Sequence, residues 1–173
     1  MQIAYEIKEF ADYGKGIYAL EDIPKGTCIW KYKKNINVIE YDMNASIKYL
    51  SKLDFQDAQH FLDMSYGRNN VLCSILDDGQ YMNHSTKPNC KSKIKTNGNT
   101  YAKRKIRKGE QLFEDYTTFD HPAFLYPLLL KYQCVPIYYK LPLEIFKIDW
   151  ENECGNECGN ECGNECGNEC GYV

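Results

Sequence analysis

Tyr81-Met-Asn-His-Ser-Thr-Lys-Pro-Asn-Cys90 gathers six polar side chains around one proline, between segments rich in Tyr, Leu and Ile. Asn83 and His84 set donors and acceptors side by side. Lys87 precedes Pro88 and is pushed towards extended backbone, so Thr86–Asn89 reads as a tight polar turn. Alone, such a cluster describes an ordinary surface loop. Two further segments change its meaning: Gly109-Glu-Gln-Leu-Phe-Glu-Asp-Tyr116 downstream, and Tyr13-Gly-Lys-Gly-Ile-Tyr18 upstream, the latter followed by Ile23-Pro-Lys-Gly-Thr27. Short glycine motifs recur by chance, so it is the order and spacing of the set that carries information.

In that order the segments resemble the SET domain of protein lysine methyltransferases. The family pattern runs Gly-x-Gly, then Asn-His-Ser-x-x-Pro-Asn, then Gly-Glu-x-Leu-x-x-Asp-Tyr, and the likeness spans residues 3–117. The resemblance implies a mainly β fold with a few short helices, a SET-type β-clip of several small sheets. It also implies a pseudoknot, in which the Asn83 segment threads beneath a loop. S-adenosylmethionine is the implied methyl donor, and a lysine of a histone or other protein the implied acceptor. Lys15, Gly16 and Ile17 are then expected to hold the methionine end of the donor through backbone groups. Asn83 and His84 would hold its adenosine and amino-acid tail. Tyr116 is the expected catalytic residue and touches the donor as well; Tyr66 and Tyr81 are expected in the channel wall, with plain core packing the alternative for each.

One departure bears on metals. Many family members place Cys directly after Asn-His-Ser, where it joins three later cysteines around zinc. Thr86 stands there instead, the tail lacks Cys-x-Cys-x₄-Cys spacing, and Cys90 and Cys134 supply no evident replacement. No bound metal is expected, and the channel must be closed by residues 118–150.

The 173 residues suit one domain with an appendage. The expected division is a SET domain over 1–117 with a variable insert at 33–70, a helical closing segment at 118–150, and a tail at 151–173. Hydrophobic residues make up 43%, enough for a core, and the 15 tyrosines fit an apolar wall that also presents hydroxyls. The tail holds six Glu and no Lys or Arg, leaving residues 1–150 at a net +3, too mildly basic for a dedicated nucleic-acid binder. Lys103–Lys108, Lys-Arg-Lys-Ile-Arg-Lys, reads equally as a nuclear import signal or as a strand and turn that the fold requires. The N-terminus lacks a signal-peptide pattern and no apolar run spans a bilayer, so an intracellular protein, nuclear or cytoplasmic, is expected, with its cysteines reduced.

Strands are expected at 3–10, 17–20, 27–32, 71–76 and 111–116, and a hairpin over 91–96 and 100–106 around Asn97-Gly98, the strongest short hairpin signal. Helical spacing appears at 45–53, 58–62 and 121–132, the last shortened or kinked by Pro127. Residues 135–150 are apolar and proline-interrupted, with a docking helix expected from Leu143. From Asn152, Asn-Glu-Cys-Gly repeats five times; Gly and Asn oppose helix and nothing apolar builds a core, so disorder is expected.

The implied chemistry is physically coherent. A lysine amine attacks only when neutral, yet its reference pKa is about 10.4. Desolvation and a nearby sulfonium both favour the neutral form, so alignment and a dry channel are needed in place of a strong base. Two other classes compete: a catalytically silent SET-fold interaction module, and a thiol-rich metal scaffold built on the tail.

Overall fold

Alternation near the N-terminus produces a hairpin, β1 (Tyr5–Phe10) against β2 (Gly14–Ala19), antiparallel with Ile7 opposite Ile17. The structure, a computed structural model, describes residues 1–11 and 14–134. The helix expected from Leu143 and the repeat tail therefore lie outside the described residues. On its far edge β2 meets residues 109–112: Gly109 N–H donates to Ala19 O and Leu112 N–H to Ile17 O, at 2.7 and 2.8 Å.

Three more small sheets follow. β3 (Cys28–Trp30), β8 (Cys90–Ser92) and β9 (Thr100–Ala102) form one in the order β3-β9-β8. β4 (Val38–Tyr41), β5 (Ser65–Arg68) and β6 (Val71–Ile75) form another in the order β4-β6-β5, all antiparallel. β7 (Asn83–His84) and β10 (Phe113–Glu114) pair in parallel, with Phe113 opposite Asn83 and Glu114 opposite His84. The chain thus has the expected fold class, mainly β in several small sheets.

The helices come from the insert and from the end of the described chain. α1 (Met43–Leu50) and α2 (Phe55–Asp63) start on Asp42 and Asp54, whose carboxylates accept from the third residue onward, Ala45 N–H and Asp57 N–H, each at 2.8 Å. α3 (Leu125–Lys131) is shorter than the periodicity predicts. Pro127 falls in its first turn, where a missing N–H forfeits no helical bond, so the helix begins just before the proline and is not broken by it.

Two cores result. Ile17, Ile23, Ile29, Ile106 and Leu112, all at most 1% exposed, fill the space between the sheets. Leu50, Leu62, Leu125, Leu128 and Leu129 fill the space among the helices. β6 divides them: Leu72 faces the helical core and Cys73 the sheet core, as a strand's period of two requires.

Several expectations need correcting. The Asn97-Gly98 hairpin is not a two-residue turn: β8 stops at Ser92, β9 starts at Thr100, and residues 93–99 form a loop. The buried Arg68 guanidinium takes Ile94 O and Thr96 O, each at 3.0 Å, and so removes those carbonyls from the ladder. Within the 33–70 insert, where no strand is expected, the structure has β4, held by register with β6. On α1, Leu50 is buried whereas Ile47 is exposed.

Gly67 marks the tightest junction. A Cβ there would lie 2.1 Å from Asp120 O and 2.6 Å from Pro122 Cδ. Gly67→Ala is expected to destabilise the fold by about 2–3 kcal/mol, the scale of overpacking against backbone, read as a lowered urea midpoint with unchanged slope.

Candidate active site

Asn89 brings the two chemistry-bearing motifs together. It is 2% exposed, and its side-chain amide donates to Gln111 O at 2.7 Å while its Oδ1 accepts from Phe113 N–H at 2.8 Å. Both ends of one buried amide are thereby satisfied by residues 111–113, which lead into the strand beside β7. Asp115 then caps a 3-10 turn over Tyr116–Thr118, accepting from Thr117 N–H at 3.1 Å and Thr117 Oγ1 at 2.6 Å. Tyr116 therefore stands on this turn, one step beyond the strand on which the sequence places it.

The turn aims the Tyr116 phenol back at β7. Its hydroxyl donates to Met82 O at 2.6 Å, and its backbone N–H donates to His84 Nδ1 at 3.1 Å. His84 Nδ1 is therefore the unprotonated, accepting nitrogen of the ring. Phe119 stacks on Tyr116 and lies tilted against Tyr66, both at 5.2 Å between ring centroids, so an aromatic row runs Tyr66–Phe119–Tyr116. Burial pushes the Tyr66 phenol far above its ordinary value, so that hydroxyl stays protonated.

This row lines a cavity of about 550 Å³. Lys15, Tyr66, Tyr81, Asn83 and Tyr116, five of the positions named from sequence, line it together with Phe119 and Glu114. Gly16, Ile17 and His84 stand behind that wall: Ile17 is fully buried in the sheet core, and His84 is held through Tyr116. A Cβ at Gly16 would lie 2.3 Å from Gln111 Nε2 and 3.3 Å from Asn83 Nδ2, so both side-chain ends would have to shift to admit one. Asn83 Nδ2 donates to Lys15 O at 2.9 Å, tying the glycine segment to the Asn-His segment across 68 residues. Lys15 Nζ sits over the Tyr81 ring at 5.2 Å. Among the described residues no cluster could hold a metal ion.

Sequence reasoning missed Trp30, Phe119 and Glu114. Trp30 Nε1 donates to Asp77 Oδ1 at 2.8 Å, and the same carboxylate caps the 3-10 turn that carries Gly79 and Tyr81 to the cavity. Glu114, between Phe113 and Asp115, carried no local signal that set it apart from a surface charge. Burial pushes its carboxyl above the ordinary range, against hydrogen bonds with Ser92 and Thr100 that favour the charged form.

The SET domain family model matches residues 14–117, and the chain belongs to that family. A histone-lysine N-methyltransferase of Mycosarcoma maydis, named as specific for H3 lysine 36, is 30% identical over 110 residues. That match takes in 60% of this chain but 11% of the relative's length. A solved Plasmodium falciparum structure, described as a candidate histone methyltransferase, aligns with a TM-score of 0.45 at 23% identity, over 67% of this chain and 95% of that one.

The raised Glu114 carboxyl has a pH signature. Because its folded pKa lies above the unfolded one, its stabilising contribution is complete below about pH 4.5 and is lost as pH rises through the folded value. Glu114→Gln removes that dependence. Urea midpoints of variant and wild type should keep a constant offset below about pH 4.5, and the variant should gain steadily on the wild type above it.

Proposed function

We propose that the chain is a protein-lysine N-methyltransferase using S-adenosylmethionine. The supporting observation is the convergence on one cavity of the Lys15–Asn83 pair and the Tyr116 phenol, from segments far apart in sequence. The volume lies within the range of small-molecule sites, and one wall offers an amide, a cation and a glycine-lined backbone from Gly14, Lys15 and Asn83. That donor set fits a ligand carrying a carboxylate, an amine and a nucleoside, with Gly16, Ile17 and His84 supporting it from behind the wall. When bound, the donor supplies an electrophilic methyl group on a sulfonium.

The protein's part is to align and desolvate. The Tyr116 hydroxyl, anchored on Met82 O, orients the acceptor nitrogen, and its ring faces the developing positive charge. Tyr66 and Phe119 exclude water from the passage, which favours the neutral amine. Tyr81 packs under Lys15 and completes the wall. The acceptor in this reading is a protein lysine, with a histone tail first in line by the relative's name. The described residues contain no helix long and apolar enough to cross a membrane. A nuclear or cytoplasmic location accompanies this reading. So does the division into a SET domain at 1–117, a closing segment at 118–150 and an appended tail.

Tyr116→Phe is expected to lower turnover on histone peptides by about 10²-fold, the scale of one removed positioned donor, with donor affinity by calorimetry unchanged. Wild type that binds no S-adenosylmethionine would instead mark the chain as a silent interaction module.

A further inference from the structure

Glu114 is a carboxyl that the reaction outlined above does not use. It is 7% exposed, it lines the cavity beside Tyr116, and its Oε1 accepts from Ser92 Oγ. Ser92 Oγ in turn lies 2.6 Å from Thr100 Oγ1, so β8 and β9 present two hydroxyls to one acid. The groups facing it are Ser92 and Cys90 from β8, Thr100 from β9, Tyr66 from β5 and His84 in register on β7. Among the described residues no lysine or arginine pairs with it, and the burial of the nearby Cys90 thiol keeps that group neutral. An acid buried among neutral groups is costly unless a cation joins it. Here the acid faces a cavity whose proposed acceptor arrives as an ammonium.

We infer that the Glu114 carboxylate is the ammonium-binding group of this cavity and takes the proton from the target lysine before methyl transfer. The inference rests on the methyltransferase reading. In this step an N–H bond of the ammonium breaks, an O–H bond forms on Glu114, and the electron pair stays on nitrogen as a neutral amine. That lone pair then forms the N–C bond while the donor's C–S bond breaks and its electrons go to sulfur. The product leaves as a methylammonium, and the Glu114 proton returns to solvent. Ser92 and Thr100 are positioning residues: their hydroxyls hold the carboxylate and favour its charged form.

The test compares wild type, Glu114→Gln and Ser92→Ala in two assays, turnover on a lysine peptide against pH and calorimetric binding of n-butylammonium. Glu114→Gln should lower turnover by about 10²-fold near neutrality, recover at alkaline pH where the lysine is already neutral, and bind n-butylammonium roughly tenfold more weakly. Ser92→Ala keeps the acid but removes a donor to its charged form, so its rising limb should move to higher pH; this variant decides the matter if Glu114→Gln fails to fold. A Glu114→Gln enzyme matching wild type at every pH, or an unmoved limb in Ser92→Ala, overturns the inference while leaving the methyltransferase reading intact. Wild type that binds n-butylammonium through Glu114 yet transfers no methyl overturns the methyltransferase reading and retains the cation site. Absence of both overturns both.

Discussion

The fold depends on one buried amide. Asn89 has no solvent to satisfy its side chain, and it finds both partners on the strand that carries Phe113, Glu114 and then Tyr116. An amide presents a donor and an acceptor at fixed separation, so it holds residues 111–113 in one register against residue 89. Slipping by one residue would orphan the amide and turn Glu114 out of the cavity. A two-strand parallel pair has little stability of its own, which is why so much rests on this clamp.

The rest of the framework braces that junction. The β2 edge is hydrogen-bonded to residues 109–112 immediately before β10, and Ile23 exchanges two backbone bonds with Ile106, at 2.8 and 2.9 Å. Behind the cavity, Arg68 is held over the Tyr32 ring at 4.5 Å and pairs with Glu40, which also takes Lys34 and the Tyr32 hydroxyl. Burial alone would push the Glu40 carboxyl up, but the hydrogen bonds from Lys34 and Tyr32 and the nearby Arg68 hold it below its ordinary value. This network holds Arg68 in place, so its guanidinium can fix the loop that carries Ile94 into the cavity wall.

How much of this was legible depended on whether the signal was local. The three motifs are contiguous in sequence and carry the family resemblance, so Asn83, Lys15 and Tyr116 could be named through it and do meet at one cavity. The helices announced themselves through their period. Residues set by distant partners could not be read. β4 exists because β6 pairs with it, and the 93–99 loop is open because Arg68, 26 residues from Ile94, claims its carbonyls. Phe119 belongs to the site only through the turn that Asp115 caps, and Glu114 reads as one more surface charge until the register shows which way it faces. Tyr66 was left between wall and core on sequence alone; it lines the cavity and is buried in the sheet core at once.

The tie between Lys15 O and Asn83 Nδ2, with Tyr116 arriving later still, has a consequence for synthesis on the ribosome. The side of the cavity formed by Glu114, Tyr116 and Phe119 waits on the last strand, so a nascent chain halted before residue 113 lacks that side entirely. Completion of the cavity is therefore a late event in chain order, set by the segment that carries Tyr116.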